Sequence, residues 1–175
     1  LNPRRMELGL DRVSLVWSRL GQGHLGPPVI TVGGTNGKGS CVALIDAMAR
    51  AGGYRTACYS SPHLLRYNER ICIGGVPVAD ADLCGAFERI EQARGDTPLT
   101  YFEFGTLAAL HLFAEASLDL AVLEVGLGGR LDTTTLGRPI VSVVTPIGLD
   151  HTQVLGDTIA RIAAERLERT LQRGP

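Results

Sequence analysis

Val29-Ile30-Thr31-Val32-Gly33-Gly34-Thr35-Asn36-Gly37-Lys38-Gly39-Ser40 is the stretch on which the fold turns. Its first four residues are a β-branched run of the kind that forms a buried parallel strand. A glycine-rich turn follows, and from Ser40 to Ala51 the residues Val42, Leu44, Ile45, Met48 and Ala49 mark one apolar helical face, ended by Gly52-Gly53. Arg55 to Tyr59 reads as the next strand. Strand, glycine loop, helix, strand is a βαβ unit with a right-handed crossover. Glycines let the backbone curl so that successive N–H groups converge on phosphate oxygens, and the helix that starts after them adds its positive end. The strict G-x-x-x-x-G-K-[ST] pattern is not met, because Gly39 follows Lys38 and the first glycine is out of register.

Lys38 is the only lysine in the chain; every other basic residue apart from histidine is arginine. A compact ammonium sits among phosphate oxygens where a planar guanidinium does not, which is a physical reason for lysine here. Lys38 would reach the β- and γ-phosphates, and the Ser40 hydroxyl suits phosphate or Mg²⁺. On the residues alone, a glycine-rich turn with a solvated lysine stays open as the other reading.

Outward from this loop, Arg4 to Leu20 carries Leu8, Leu10, Val13, Leu15, Val16 and Leu20 at mostly helical spacing. Ser60 to Asn68 reads as a loop, and Arg70 to Ile73 with Val76 to Val78 reads as a hairpin around Gly74-Gly75. Asp80 is placed to cap a helix running to about Arg94. A further helix spans Tyr101 to Ala116, strands follow at Leu120 to Val125 and Ile140 to Val144, and a charged helix spans Asp157 to Gln172.

The 175 residues make one domain, and 45% hydrophobic content is enough for a core. Scarce aromatics, at 5%, and 22 glycines point to an α/β protein with many tight loops. A net charge of −1, with no patch of interleaved basic and aromatic residues, argues against nucleic acid as a partner. Apolar runs fall short of the roughly 20 residues that span a bilayer, and no signal pattern opens the chain, so no membrane and a cytoplasmic location are expected. Cys41, Cys58, Cys72 and Cys84 form no C-x-x-C pair and read as reduced, half-buried small residues. A start at Leu1 and an end on Arg173-Gly174-Pro175 suggest a fragment.

Gly34-Thr35-Asn36-Gly37-Lys38-Gly39-Ser40 resembles the ATP loop of the Mur ligase superfamily, in its folylpolyglutamate synthase and dihydrofolate synthase branch. Leu8-Gly9-Leu10-Asp11-Arg12, Ser60-Ser61-Pro62-His63-Leu64 with Asn68-Glu69-Arg70-Ile71, Thr100-Tyr101-Phe102-Glu103-Phe104, Glu124 to Asp132 and Leu149-Asp150-His151 match that family in order. The resemblance implies an α/β fold with a P-loop and a mostly parallel sheet flanked by helices. The same resemblance implies a Mur-ligase-like central domain covering 1–175, expected to be incomplete at its C-terminus and without the family's second domain. It also implies a monomer that uses ATP and Mg²⁺ to activate the carboxylate of dihydropteroate or a folate as an acyl phosphate, which the amine of L-glutamate then attacks.

By the same resemblance Gly34, Thr35, Asn36, Gly37, Lys38, Gly39 and Ser40 bind ATP, and Ser61, Glu124 and His151 bind metal. Lys38, Glu124 and His151 are the expected catalytic residues. Thr100, Phe102, Leu131, Asp132 and Thr133 are the expected folate contacts, although Phe102 could equally be a core residue. Glu124, at the end of a buried strand, would lie in the crevice where open α/β sheets bind ligands. The chain departs from the family at Asp132-Thr133-Thr134-Thr135, where an alanine and an asparagine are usual. It departs again at Arg166, where the family has a lysine that is carbamylated; a guanidinium cannot undergo that reaction. A nucleotide- or pterin-binding module without turnover is the alternative function. A phosphotransfer enzyme with an unrelated P-loop is a weaker third, against which the Ser61 and Glu124 segments count.

Overall fold

A computed structural model describes residues 9–21, 23, 25–126, 132–149 and 157–164. In chain order these form α1 (Asp11–Arg19), β1 (Val29–Gly33), α2 (Lys38–Ala51), β2 (Thr56–Tyr59), β3 (Ile71–Ile73), β4 (Val76–Pro77), α3 (Asp80–Arg94), α4 (Tyr101–Glu115), β5 (Leu120–Glu124) and β6 (Val141–Val144). Single 3₁₀ turns lie at Tyr67–Arg70 and Thr133–Gly137, and residues 159–164 are helical. The strands make one sheet in the order β4-β3-β2-β5-β1-β6. Its β2, β5, β1 and β6 are parallel, and the β3-β4 hairpin adds antiparallel at one edge. No helix of the described residues is long and apolar enough to cross a membrane.

Alternation along the parallel strands sorts side chains between two layers. Ile30, Val32, Cys58, Leu120, Val122 and Val143 face α2, packing on Cys41, Val42 and Ile45. Val29, Ala57, Tyr59, Ala121 and Leu123 face the other way, onto a core that α1, α3 and α4 complete with residues such as Val13, Trp17, Ile90, Leu107 and Phe113. Helix α4 is buried along almost its whole length, which accounts for its apolar character on every side.

The sheet order fixes where a ligand can sit. From β1 the chain runs through α2 to β2, past β5, whereas from β5 it runs to β6 on the far side of β1. The two connections part between adjacent strands, and the carboxyl ends of β1 and β5 therefore border the crevice of a doubly wound sheet.

Several expectations from sequence need correction. Helix α2 starts at Lys38, two residues before Ser40, so Lys38, Gly39 and Ser40 form its first turn. Its buried residues are Val42 and Asp46, while Leu44 and Met48 are exposed at 63% and 65%. The buried Asp46 accepts hydrogen bonds from Arg50 Nε at 2.8 Å and Thr56 Oγ1 at 2.5 Å, which is why a charged residue takes a core position. Asp80 does not cap α3; its carboxylate accepts from Arg66 Nη2 at 2.8 Å and Asn68 Nδ2 at 2.9 Å instead. Cys84 is exposed, unlike Cys41, Cys58 and Cys72, which are half-buried. Of the first and last expected helices, residues 4–8 and 165–172 lie outside the described residues.

At the end of the sheet away from the crevice, Asp119 joins the starts of β2 and β5. It accepts from the backbone N–H of Arg55 at 2.8 Å and from its guanidinium at 2.9 and 3.0 Å. The Arg55 side chain and backbone hold the Asp119 carboxyl down, from the ordinary 3.8 to about 2. A lowered carboxyl stabilises the fold fully above its unfolded value and ceases to do so as pH falls through its folded value. Asp119→Asn is therefore expected to lower the melting temperature at pH 7, with the difference from the parent closing between about pH 4 and pH 2. Thermal unfolding followed by circular dichroism across that range checks it, and a difference that persists at pH 2 contradicts it.

Candidate functional site

The glycine loop bridges the carboxyl end of β1 and the amino end of α2, as the strand-loop-helix reading requires. Gly34, at φ 139°, lies so close to Thr145 that an added Cβ would fall 1.8 Å from its Oγ1. Gly37 takes the left-handed conformation, φ 84°, as the residue before the helix. The loop is anchored to the chain beyond β6. Thr35 N donates to Pro146 O at 3.0 Å, Gly148 N donates to Thr35 Oγ1 at 2.9 Å, and Thr145 N donates to Gly33 O at 2.8 Å. Asn36, Gly37, Gly39 and Ser40 are exposed, so the first-turn N–H groups of α2 open toward solvent. Lys38 Nζ folds back on its own loop, donating to Gly34 O at 3.1 Å and Thr35 O at 3.2 Å.

Beside this turn lies Glu124, only 3% exposed at the end of β5 and paired across the sheet with Val32. Its place in the alternation puts it on the α2 face. A Cβ added to Gly39 would stand 3.6 Å from Glu124 Oε2, so the first turn of α2 and the carboxylate face each other at van der Waals distance. Ser61 N donates to the same oxygen at 3.1 Å. Burial raises the Glu124 carboxyl above the ordinary range, against the opposing pull of the Ser61 N–H and the charges of Lys38 and Arg70. Ser61, Glu124 and the Lys38 turn are thus brought together. Among the described residues no group of three or more His, Cys, Asp or Glu side chains converges as a metal site. His151, the third expected metal residue, lies outside the described residues, as do Leu131 and Arg166.

Of the expected folate residues, Phe102, Asp132 and Thr133 lie around Gly126, just past the end of β5. Thr100 caps α4: its Oγ1 accepts from Glu103 N at 3.2 Å, while its own N–H donates to Glu103 Oε2 at 2.6 Å. Glu103 also accepts from Arg12 at 2.7 Å. Phe102 is half-buried, its ring centroid 5.9 Å from that of Tyr59, and it lies so near Gly126 that a Cβ there would come within 2.3 Å of its Cζ. Asp132 is buried, accepting from Gly126 N at 3.0 Å and from Thr134 N at 2.9 Å, and the buried Thr133 follows it. Phe102, Gly126, Asp132 and Thr133 therefore frame one patch.

Sequence reading did not single out Arg70 as a site residue. It is buried, donates from Nε to His63 Nδ1 at 2.8 Å, and lies 5.2 and 5.6 Å from the ring centroids of Tyr67 and Tyr101. The available signal was an arginine set directly against the apolar run Ile71-Cys72-Ile73. The adjoining loop is folded by Glu69, whose carboxylate accepts from the N–H groups of Leu64, Leu65 and Arg66 at 2.7 to 3.0 Å.

No family model matches the chain. The dihydrofolate synthase/folylpolyglutamate synthase of Escherichia coli K12 is 49% identical over 166 residues, covering 95% of this chain and 39% of that protein. The solved structure of E. coli FolC in complex with DHPP and ADP superposes with a TM-score of 0.92 at 48% identity, covering 97% of this chain and 41% of that one. A bifunctional folylpolyglutamate synthase/dihydrofolate synthase with Mn, AMPPNP and L-glutamate bound gives 0.86 at 49% identity, covering 93% and 40%. The chain spans about two fifths of the length of the curated relatives it matches. Over nearly all of its own residues, this chain is a homologue of the dihydrofolate synthase/folylpolyglutamate synthase family.

Proposed function

We propose that the chain supplies the nucleotide- and metal-binding part of an ATP-dependent ligase that joins L-glutamate to dihydropteroate or a folate. The observation that carries this reading is the buried Glu124 carboxylate beside the open first turn of α2. Solved relatives hold ADP with DHPP, or AMPPNP with Mn and L-glutamate. Here Gly34 to Ser40 would take the triphosphate, with N–H groups at the helix start and the Lys38 ammonium matching its charge. Ser61 and Glu124 fit a hard divalent cation, since both are oxygen donors and a buried carboxylate is relieved of its desolvation cost by an ion. Mg²⁺ bound there would neutralise phosphate charge. His151 is proposed as a further ligand, and it joins Lys38 and Glu124 as the catalytic set.

The reaction follows from where charge moves. An oxygen of the substrate carboxylate attacks the γ-phosphorus, the bond to ADP breaks, and an acyl phosphate forms. The amine of glutamate then attacks the acyl carbon, inorganic phosphate leaves, and the amine gives up a proton. Lys38 would stabilise the migrating phosphoryl charge and orient the leaving group, the main contributions a protein makes to such transfers. Phe102, Asp132 and Thr133, with Thr100 and Leu131, would hold the pterin side. Because the chain spans two fifths of its relatives, a binding module without turnover is the second reading. An assay with ATP, glutamate and either dihydropteroate or a reduced folate separates the two. Amide formation supports the ligase, and nucleotide binding without it supports the module.

Lys38→Ala is expected to weaken Mg·ATP binding at least tenfold, about 1.4 kcal/mol, by isothermal titration; equal affinity would refute the loop assignment. Glu124 gives an opposed pair of outcomes. A raised carboxyl binds its proton more tightly in the folded chain, so its stabilising influence holds at low pH and is lost as pH rises through its folded value. At pH 7 the buried charge is a cost, and Glu124→Gln should raise the melting temperature of the ligand-free chain by about 2–4 °C. The same variant should lose the Mg²⁺ dependence of nucleotide binding. A lowered melting temperature together with retained Mg²⁺ dependence would refute the assignment of Glu124.

A further inference from the structure

Cys58 on β2 and Cys72 on β3 are direct cross-strand partners in the antiparallel pair. Their side chains point to the same face of the sheet, the one covered by α2. Ser60 N donates to Arg70 O at 2.9 Å and Gly74 N to Thr56 O at 2.8 Å. Hydrogen-bonded pairs recur at every second position, so Cys58 and Cys72, midway between those two pairs, are also of the hydrogen-bonded type. Such pairs hold their Cα atoms about 5.5 Å apart, inside the roughly 4.4–6.8 Å that a disulfide spans. Their Cβ atoms lie farther apart than a relaxed disulfide prefers, so closing the bond requires local twist, and strained disulfides are the readily reduced ones.

Nothing in the nucleotide and pterin patches uses these thiols. Both are half-buried and free. The pair lies beneath Asp46 and Arg50, whose charges act on both sulfurs, and the Arg50 guanidinium lies against Gly75 in the adjoining hairpin turn. The two thiols share a hydrogen bond that raises Cys58, with burial adding to the rise, and lowers Cys72. Cys72 also directs its thiol toward Glu69 O at 3.7 Å.

We infer that Cys58 and Cys72 form a reversible oxidation site, a thiol pair that peroxides convert to a cross-strand disulfide. The Cys72 thiolate attacks one oxygen of hydrogen peroxide, the O–O bond breaks, hydroxide leaves and takes up a proton, and Cys72 becomes a sulfenic acid. The Cys58 sulfur then attacks the Cys72 sulfur, expelling the sulfenic oxygen, which keeps its own proton, takes up the Cys58 proton and leaves as water. In sum two thiols and one peroxide give one disulfide and two waters. The crosslink closes residues 59–71, Ser61 among them, into a covalent loop.

The test is peroxide treatment of the chain, blocking with iodoacetamide, and peptide mass mapping without reduction. The expected result is a Cys58–Cys72 linked peptide that dithiothreitol abolishes, with Cys41 and Cys84 carrying the blocking group. Recovery of Cys58 and Cys72 both blocked, or linkage through Cys41 or Cys84 in their place, overturns the proposal. Cys58→Ser should leave Cys72 as a sulfenic acid that dimedone captures. Capture at Cys58 in Cys72→Ser, with none at Cys72 in Cys58→Ser, overturns the assignment of Cys72 as the attacking sulfur.

Discussion

A carboxylate buried at the end of a strand, directly beside the start of a helix, is the constraint around which this chain is arranged. Glu124 sits opposite Val32 in the parallel pair of β1 and β5. It can be buried there because Ser61 N donates to it. The parallel register, the first turn of α2 and the loop that leaves β2 therefore meet at this carboxylate.

The sheet divides the work between its faces. Alternation sends Val122 and Glu124 toward α2 and sends Ala121 and Leu123 toward the α1, α3 and α4 core, so residues one apart in sequence serve different layers. The α2 face holds charge: Lys38, Glu124, and farther along the ion pair of Asp46 and Arg50. The opposite face holds rings, with Phe102 against the backbone at Gly126 and its centroid 5.9 Å from that of Tyr59. Burial pushes the Tyr59 hydroxyl up to about 12, so it stays a neutral phenol across the physiological range. An anionic ligand and a flat aromatic one would each find matching chemistry at the same strand ends.

How much of this was legible beforehand depends on whether a residue's role is local. The strand-loop-helix unit was readable because β-branched runs, glycines and the single lysine are local signals, and the strand positions came out within a residue or two. The cluster of Ser61, Glu124 and Lys38 was reachable only through resemblance, since nothing in their spacing brings them together. The apolar periodicity of α2 misled at Leu44 and Met48 because it counts hydrophobic residues, whereas the buried stripe includes Asp46, made tolerable by Arg50 and by Thr56 of the next strand. Asp80 looked like a helix cap, but Arg66 and Asn68 compete for its carboxylate. Arg70 escaped notice because the rings and histidine that make it a burial-worthy cation come from Tyr67, Tyr101 and His63, one of them on a distant helix. At Asp46, Asp80 and Arg70 the missed feature is a polar side chain whose partners are set by tertiary structure.

The loop also shows why its lysine need not wait for a ligand to be ordered. Thr35 is tied to Pro146 and Gly148, and Gly33 to Thr145, so the turn is shaped by the chain after β6. Lys38 occupies the carbonyls of Gly34 and Thr35. In these bonds a charged donor meets neutral acceptors, whereas phosphate oxygens offer the same donor the attraction of opposite charge as well. A phosphate arriving at the first turn of α2 would therefore draw the ammonium from two neutral acceptors to charged ones without rebuilding the backbone. Most of the ordering cost of such binding would already have been met in folding, leaving a side-chain swing of one flexible lysine, which a rigid guanidinium fork would make less readily.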